Sequence, residues 1–223
     1  MNHAPNHHRA PHWGVRLGVF VLAACHWFWS QGELSSRPEA LEILDFVLQA
    51  LDPIHGFFVE NTAATNGLLI ASSLGIDALV LFLLFRSIFG PSFKPFLGLM
   101  ILIGLRQCCQ SMVALPPPDG LLWHDPGFPS LFVTYGVSND LFFSGHTALA
   151  VYGAMELWRL GRLPFKVLAV ALAVFEIGAV LVLHAHWTMD VYAGAVTALL
   201  VGITVQHIGP PVDRWLAKIE TNG

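Results

Sequence analysis

Apolar stretches of roughly 18–20 residues recur along this chain of 223 residues, each long enough to cross a ~30 Å hydrocarbon layer. Backbone inside hydrocarbon must satisfy its own N–H and C=O groups, so runs of this length become helices. Charged residues make up 12% of the chain, against about 25% in an average globular protein. That is too few to coat a soluble helical core. The expected fold is an all-α integral membrane protein with one domain over residues 1–223. A polar tail, "MNHAPNHHRAPHW", leads it over about residues 1–12. Its four histidines could hold a metal, but a solvated tail is the plainer reading.

The hydrophobic pattern predicts six spans, at about 14–31, 67–87, 94–115, 141–160, 164–184 and 187–207. The first reads as a retained helix rather than a cleaved leader, because no convincing small-residue cleavage site follows it. The joints set the orientation. Arg9 and Arg16, Arg86 and Lys94, Arg159, Arg162 and Lys166, and Arg214 and Lys218 fall on one side. The other side holds Arg37 alone, with Glu33, Glu39, Glu42, Asp45, Asp52, Glu60, Asp119, Asp125 and Asp140. This bias predicts cytoplasmic termini.

Between the first two spans, "SSRPEALEILDFVLQALDP" opens with Ser36, Pro38 and Glu39, the pattern of a capping box. Leu41, Leu44, Leu48 and Leu51 recur at helical spacing among acidic residues. An amphipathic helix in the outer interface is expected, as a structural element or as a gate for lipid entry.

Two stretches carry the chemistry. In "NDLFFSGHTALAVYG", Ser144, Gly145, His146 and Thr147 open the fourth span at its outer end. Amides at a helix start beside a glycine form an anion site, and the Ser144 and Thr147 hydroxyls add donors. A histidine capping a helix in a polar vestibule explains the tetrad nearly as well. In "VLHAHWTMDVYAG", His186 and Asp190 are four apart, one face of a helix. A carboxylate there can hold one imidazole nitrogen and leave the other as a nucleophile. A His–Asp pair that only ties two helices fits equally. Together the stretches place two imidazoles at one membrane depth, with a carboxylate and an anion-binding helix start. In-line displacement at phosphorus needs such a set.

"SGHT" followed some forty residues later by His-x-x-x-Asp resembles the type-2 phosphatidic acid phosphatase superfamily of lipid phosphatases and phosphotransferases. "LFFSGHTALAVYG" and "HAHWTMDVYAG" look most like its sphingomyelin synthase branch, which includes plant-type phosphatidylcholine:diacylglycerol cholinephosphotransferases. "GLRQCCQSMVALPPP" resembles that branch's arginine-containing third span. The resemblance covers roughly residues 95–205, and the catalytic core is expected over about 95–207. It implies that His146, His186 and Asp190 form the catalytic triad. By the same resemblance, His186 takes the phospho-headgroup covalently and His146 handles the lipid hydroxyl proton. The phosphatases usually carry a Lys-x6-Arg-Pro motif and a Ser-Arg pair. Here the first is missing, and Ala179-Val180 stands in the second position. A monoester would favour those cations, so a diester headgroup is expected.

Arg106 lies about ten residues inside the third span, hence ~15 Å deep. Intramembrane ions face a partner or a polar cavity. For Arg106 the partner is either Asp77 of the second span or a substrate phosphate. Gln107 and Gln110 are weaker candidates for the site. Glu176 is either structural or cavity-lining, and Glu156 is expected to be solvated. Asp140 could orient His146, recognise a choline or ethanolamine ammonium, or simply cap a helix. His184 faces away from His186 and is expected at a helix interface. Trp123, Trp187 and Tyr192 could cradle a quaternary ammonium or form an interfacial belt.

The expected activity is phosphocholine or phosphoethanolamine transfer from a glycerophospholipid to a lipid alcohol, such as diacylglycerol or ceramide. The alternatives are a lipid phosphatase or phospholipase C-like hydrolase and, from another class, a lipid transporter. The expected partners are the donor and acceptor lipids and the bilayer, with the site on the non-cytoplasmic face. A net charge of −4 points to no nucleic acid. Cys25, Cys108 and Cys109, odd in number and without metal-like spacing, argue against a disulfide framework or zinc site. No acidic cluster stands at ligand spacing, so no metal or other cofactor is expected.

Overall fold

The computed structural model describes residues 43–133, 135 and 141–222, together with Val21, Leu22, Cys25 and Trp29; at 216–217 and 219–222 only helix backbone is described. Two units are distinguished, Met1–Leu44 and Asp45–Gly223. In the first, Val21, Leu22, Cys25 and Trp29 are helical. The expected first span, the capping box of Ser36 and Glu39, and Asp140 lie outside the described residues.

The second unit is all helical among its described residues. Its helices are α1 (Phe46–Glu60), α2 (Thr62–Phe89), α3 (Lys94–Met112), α4 (Gly145–Trp158), α5 (Leu163–Val182) and α6 (Thr188–Asn222). Three are long and apolar enough to cross a membrane: α2, α5 and α6 over Thr188–Trp215, with mean hydropathies of 2.4, 2.3 and 1.6. Their outward faces are apolar, with Leu81, Phe85 and Ile88 of α2, Val170 and Val174 of α5 and Leu199, Leu200 and Ile203 of α6 exposed. Apolar stripes of this extent suit lipid rather than water. These are the features of an α-helical membrane protein. The expected sixth span stops near residue 207, whereas α6 continues through Pro210 and Pro211.

Helix α4 is the hub of the bundle, packed against α2, α3, α5 and α6. It is only 14 residues long and buries Ala148, Ala150, Tyr152, Gly153 and Ala154. Between membrane helices, close packing of small residues takes over from the hydrophobic effect. Gly98 of α3 shows it: a Cβ there would collide with the Tyr152 ring and hydroxyl. The Tyr152 hydroxyl instead donates to the carbonyls of Lys94 and Pro95, each at 3.2 Å.

Polar side chains complete the packing. Ser72 of α2 donates to Glu176 of α5 at 2.6 Å, and Glu176 is fully buried. Glu176 therefore ties α2 to α5 and does not line the cavity described below. Glu156, expected in solvent, is 3% exposed and pairs with Arg159, whose guanidinium also donates to the Gly202 carbonyl at 2.6 Å. Its place on the buried hub helix forces that pairing, because an unpaired carboxylate there is costly. Cys25, Cys108 and Cys109 are free.

The connection from α3 to α4 folds back against the bundle. Both Asp77 carboxylate oxygens accept its backbone amides, from Leu131 at 2.9 Å and Phe132 at 3.0 Å. Asp77 lies 15 residues into α2, so the loop's donors are satisfied well below the helix start. The Asp77–Arg106 pairing is not found among the ion pairs of the described residues, because the loop amides occupy Asp77.

Candidate active site

The tetrad opens α4. Ser144 is the N-cap, and its Oγ accepts from the Thr147 amide at 3.3 Å. Ser144 and Thr147 are fully buried, so they shape the helix start rather than face the cavity. Gly145 and His146 occupy the first helical positions, where backbone amides have no partner within the helix. Both residues line a cavity of about 430 Å³.

Arg106 reaches the same helix start. Its Nε donates to the Phe143 carbonyl at 2.9 Å. A Cβ on Gly145 would stand 3.0 Å from that Nε and 3.2 Å from Cζ. Glycine at 145 thus lets the guanidinium lie against the α4 terminus, and Arg106 lines the cavity. Because α3 ends at Met112, Arg106 is six residues from the end, ~9 Å along the axis and shallower than expected.

The second motif differs from its expected geometry. Helix α6 begins at Thr188, so His186 precedes the helix and only Asp190 lies within it. Asp190 Oδ2 accepts the Trp187 amide at 3.1 Å, an acidic side chain reaching back to cap its own helix start. The same oxygen stands 3.7 Å from His186 Nδ1. The residues therefore meet across a helix N-terminus rather than along a helix face. Asp190 is fully buried, His186 is 7% exposed, and His186 lines the cavity.

Main chain joins the motifs. The Ser144 amide donates to the Asp190 carbonyl at 3.1 Å. Four of the seven buried side-chain atoms without a hydrogen bond among the described residues belong to these motifs: His146 Nε2, Thr147 Oγ1, His186 Nδ1 and Asp190 Oδ1. Buried polar atoms are normally satisfied, and concentrations of exceptions mark functional sites.

The loop bearing His186 is fastened from several directions. Asp45, the N-cap of α1, accepts the Thr188 amide at 2.6 Å and its hydroxyl at 2.8 Å. It also caps α1 through the amides of Val47 and Leu48. Partial burial pushes the Asp45 carboxyl up, but these donors outweigh it and hold the group below its ordinary range. His55 of α1 contacts the Val182 carbonyl at 2.8 Å and stacks on His184, ring centroids 3.7 Å apart. His184 has left-handed backbone, with φ 49°, and its Nδ1 meets the Asp119 carbonyl at 2.9 Å. As expected, it belongs to an interface. The sequence reading missed this fastening role for Asp45 and His55; a buried histidine on an otherwise acidic amphipathic helix was its only local sign.

The expected aromatic trio does not assemble. Trp123 lies edge-on to His146, centroids 4.8 Å apart. Trp187 instead donates through Nε1 to the Pro116 carbonyl at 2.8 Å, and Tyr192 is 61% exposed on α6. Neither lines the cavity, whereas Gln107 and Gln110 do. Away from this polar end the wall is apolar, with Ile76, Val80 and Leu84 of α2 facing Phe96, Leu99 and Ile103 of α3. Ala179 and Val180, in the Ser-Arg position, are buried and lie outside the lining.

No curated protein and no solved structure matches the chain. Residues 138–208 match the family model described as PAP2 superfamily C-terminal, the segment that carries His146, His186 and Asp190. That segment, about a third of the chain, is similar to the C-terminal part of the type-2 phosphatidic acid phosphatase superfamily, whose members are usually enzymes acting as phosphatases or phosphotransferases.

Proposed function

We propose that the protein is a phospholipid headgroup transferase of the sphingomyelin synthase-like branch. It moves phosphocholine or phosphoethanolamine from a glycerophospholipid to a lipid alcohol such as diacylglycerol or ceramide. The observation that carries this reading is the single cavity lined by His146, His186 and Arg106, with Asp190 behind His186. Its apolar extension along α2 and α3 suits an acyl chain, and its polar end suits a phosphodiester.

In the proposed reaction, His186 presents Nε2 to phosphorus while Asp190 stabilises charge at Nδ1. The P–N bond forms as the P–O bond to diacylglycerol breaks, and protonated His146 gives its proton to the leaving oxygen. The acceptor alcohol then yields its proton to His146 and attacks phosphorus, and the P–N bond breaks. Arg106 and the α4 amides counter charge on the non-bridging oxygens. One arginine at the phosphate, with apolar residues in the Ser-Arg position, favours a diester over a more highly charged monoester. The Lys/Arg bias of the joints supports cytoplasmic termini and a site on the non-cytoplasmic face.

The test uses purified protein in micelles with headgroup-labelled phospholipid, with and without diacylglycerol or ceramide. Transfer yields a new labelled lipid only when acceptor is present. Soluble phosphocholine or free phosphate in its place would assign a hydrolase.

A further inference from the structure

A second recess lies away from the histidines. It is an apolar groove of about 340 Å³ between α4 and α5, and it shares no lining residue with the histidine cavity. Ala154, Met155 and Trp158 of α4 and Ala169, Val170 and Ala173 of α5 line it. The alanines leave the space. Ala169 is fully buried, whereas Trp158 and Val170 are half exposed. Trp158 lies about 18 Å along α4 from His146, at the opposite end of that helix.

That end of the groove is cationic. Lys166 Nζ stands 5.2 Å from the centre of the Trp158 ring, which holds the ammonium at the groove's edge. Arg162, the N-cap of α5, is exposed one turn before it. Arg159 also lines the groove, but its guanidinium is taken up by Glu156 and the Gly202 carbonyl. Two positive charges are left over. Among the described residues neither Arg162 nor Lys166 pairs with a carboxylate, and the groove lining holds no aspartate or glutamate.

An apolar recess with cations at one end fits an amphiphile with a hydrocarbon tail and an anionic head. A zwitterionic lipid fills the recess equally well but brings its own ammonium against the two cations. A second copy of the chain suits the small-residue wall but not the charges. Copies in one membrane share an orientation, so a pair meeting across α5 sets Arg162 and Lys166 against their own counterparts.

We infer that the α4–α5 groove binds an anionic phospholipid, its tail against Ala154, Ala169 and Ala173 and its phosphate beside Arg162 and Lys166. This lipid is a bound companion of the fold and not a substrate, because its headgroup sits at the far end of α4 from the histidines. The inference is independent of the transferase reading.

Native mass spectrometry of the full chain, released from micelles containing phosphatidylglycerol or phosphatidylcholine, counts the lipids retained. Phosphatidylglycerol should be held about tenfold more tightly than phosphatidylcholine. Arg162→Gln combined with Lys166→Gln should bring the two lipids near parity. Val170→Trp places a large ring in the groove from a half-exposed position and should lower the lipid count by one for either lipid. Ala173→Phe blocks the same space if Val170→Trp fails to fold. A phosphatidylglycerol preference that survives the double charge variant, or a lipid count unchanged by filling the groove, overturns the inference. Displacement of the lipid by inorganic phosphate would mark a free-anion site and also overturns it. So does a dimer in micelles that Val170→Trp dissociates, which would seat a second copy in the groove.

Discussion

The amide of Ser144 donates to the carbonyl of Asp190 at 3.1 Å, so the two histidine motifs are bonded through main chain. Gly194, one turn further along α6, allows that approach: a Cβ there would stand 2.7 Å from the Ser144 oxygen. The link sets the spacing of His146 and His186 independently of any side chain in the cavity.

Gly194→Ala should therefore push the motifs apart. The obstacle is backbone and cannot rotate away, so a stability loss of about 1–3 kcal/mol is expected. Headgroup release should fall beyond the fraction unfolded. Denaturation midpoint and turnover, measured on one detergent-solubilised sample, check both effects.

Gly145→Ala should behave differently. The new Cβ meets a flexible guanidinium at 3.0 Å rather than backbone, so the fold should survive. Displacing Arg106 should lower kcat/KM by roughly tenfold, the scale of one lost charge-assisted contact. Combining Gly145→Ala with Arg106→Ala should cost little more than Arg106→Ala alone. Additive losses would mean that the glycine acts elsewhere.

Asp190→Asn separates capping from electrostatics. Asparagine keeps an oxygen for the Trp187 amide, so α6 should still start at Thr188. The charge beside His186 Nδ1 is lost, and turnover should fall by roughly 10²–10⁴-fold. Circular dichroism beside a product assay reads the two effects separately.

The clamp at Asp45 predicts a pH dependence. Its folded carboxyl lies below the ordinary aspartate value of 3.8, so its contribution is whole above that value. It is lost as pH falls through the folded value. In Asp45→Ala the wild-type stability advantage, about 1 kcal/mol or more for a residue capping two helix starts, should be constant near neutrality. It should shrink below pH ~4. Thr188→Val in the Asp45→Ala background should add little. Thermal melts of the three forms between neutral and acid pH check this.

Much of the site was legible because its parts are local. The capping serine, the glycine beside the histidine and the His-x-x-x-Asp spacing each stand within a few residues. The long apolar runs that became α2, α5 and α6 are likewise continuous in sequence. What escaped depends on distant contacts. Asp45 and Thr188 are 143 residues apart, and nothing near Asp45 marks it as a second cap. Asp77 and Arg106 looked complementary at matching depths, but the amides of Leu131 and Phe132, more than fifty residues away in sequence, take both oxygens of Asp77. The expectation for His186 assumed a helix running through it, whereas the capping role of Asp190 starts that helix at Thr188. Glu156 read as solvated because its end of α4 looked like an interface, yet α4 is enclosed by its neighbours.

The central claim is that His186 carries the phospho-headgroup between donor and acceptor. Rapid acid-free quenching of the protein with phospholipid labelled at phosphorus, without acceptor, tests it most directly. Label should stay on the wild-type polypeptide as an acid-labile adduct, leave on addition of diacylglycerol or ceramide, and be missing from His186→Ala. An adduct that survives in His186→Ala, or product formed by that variant at the wild-type rate, would contradict the account.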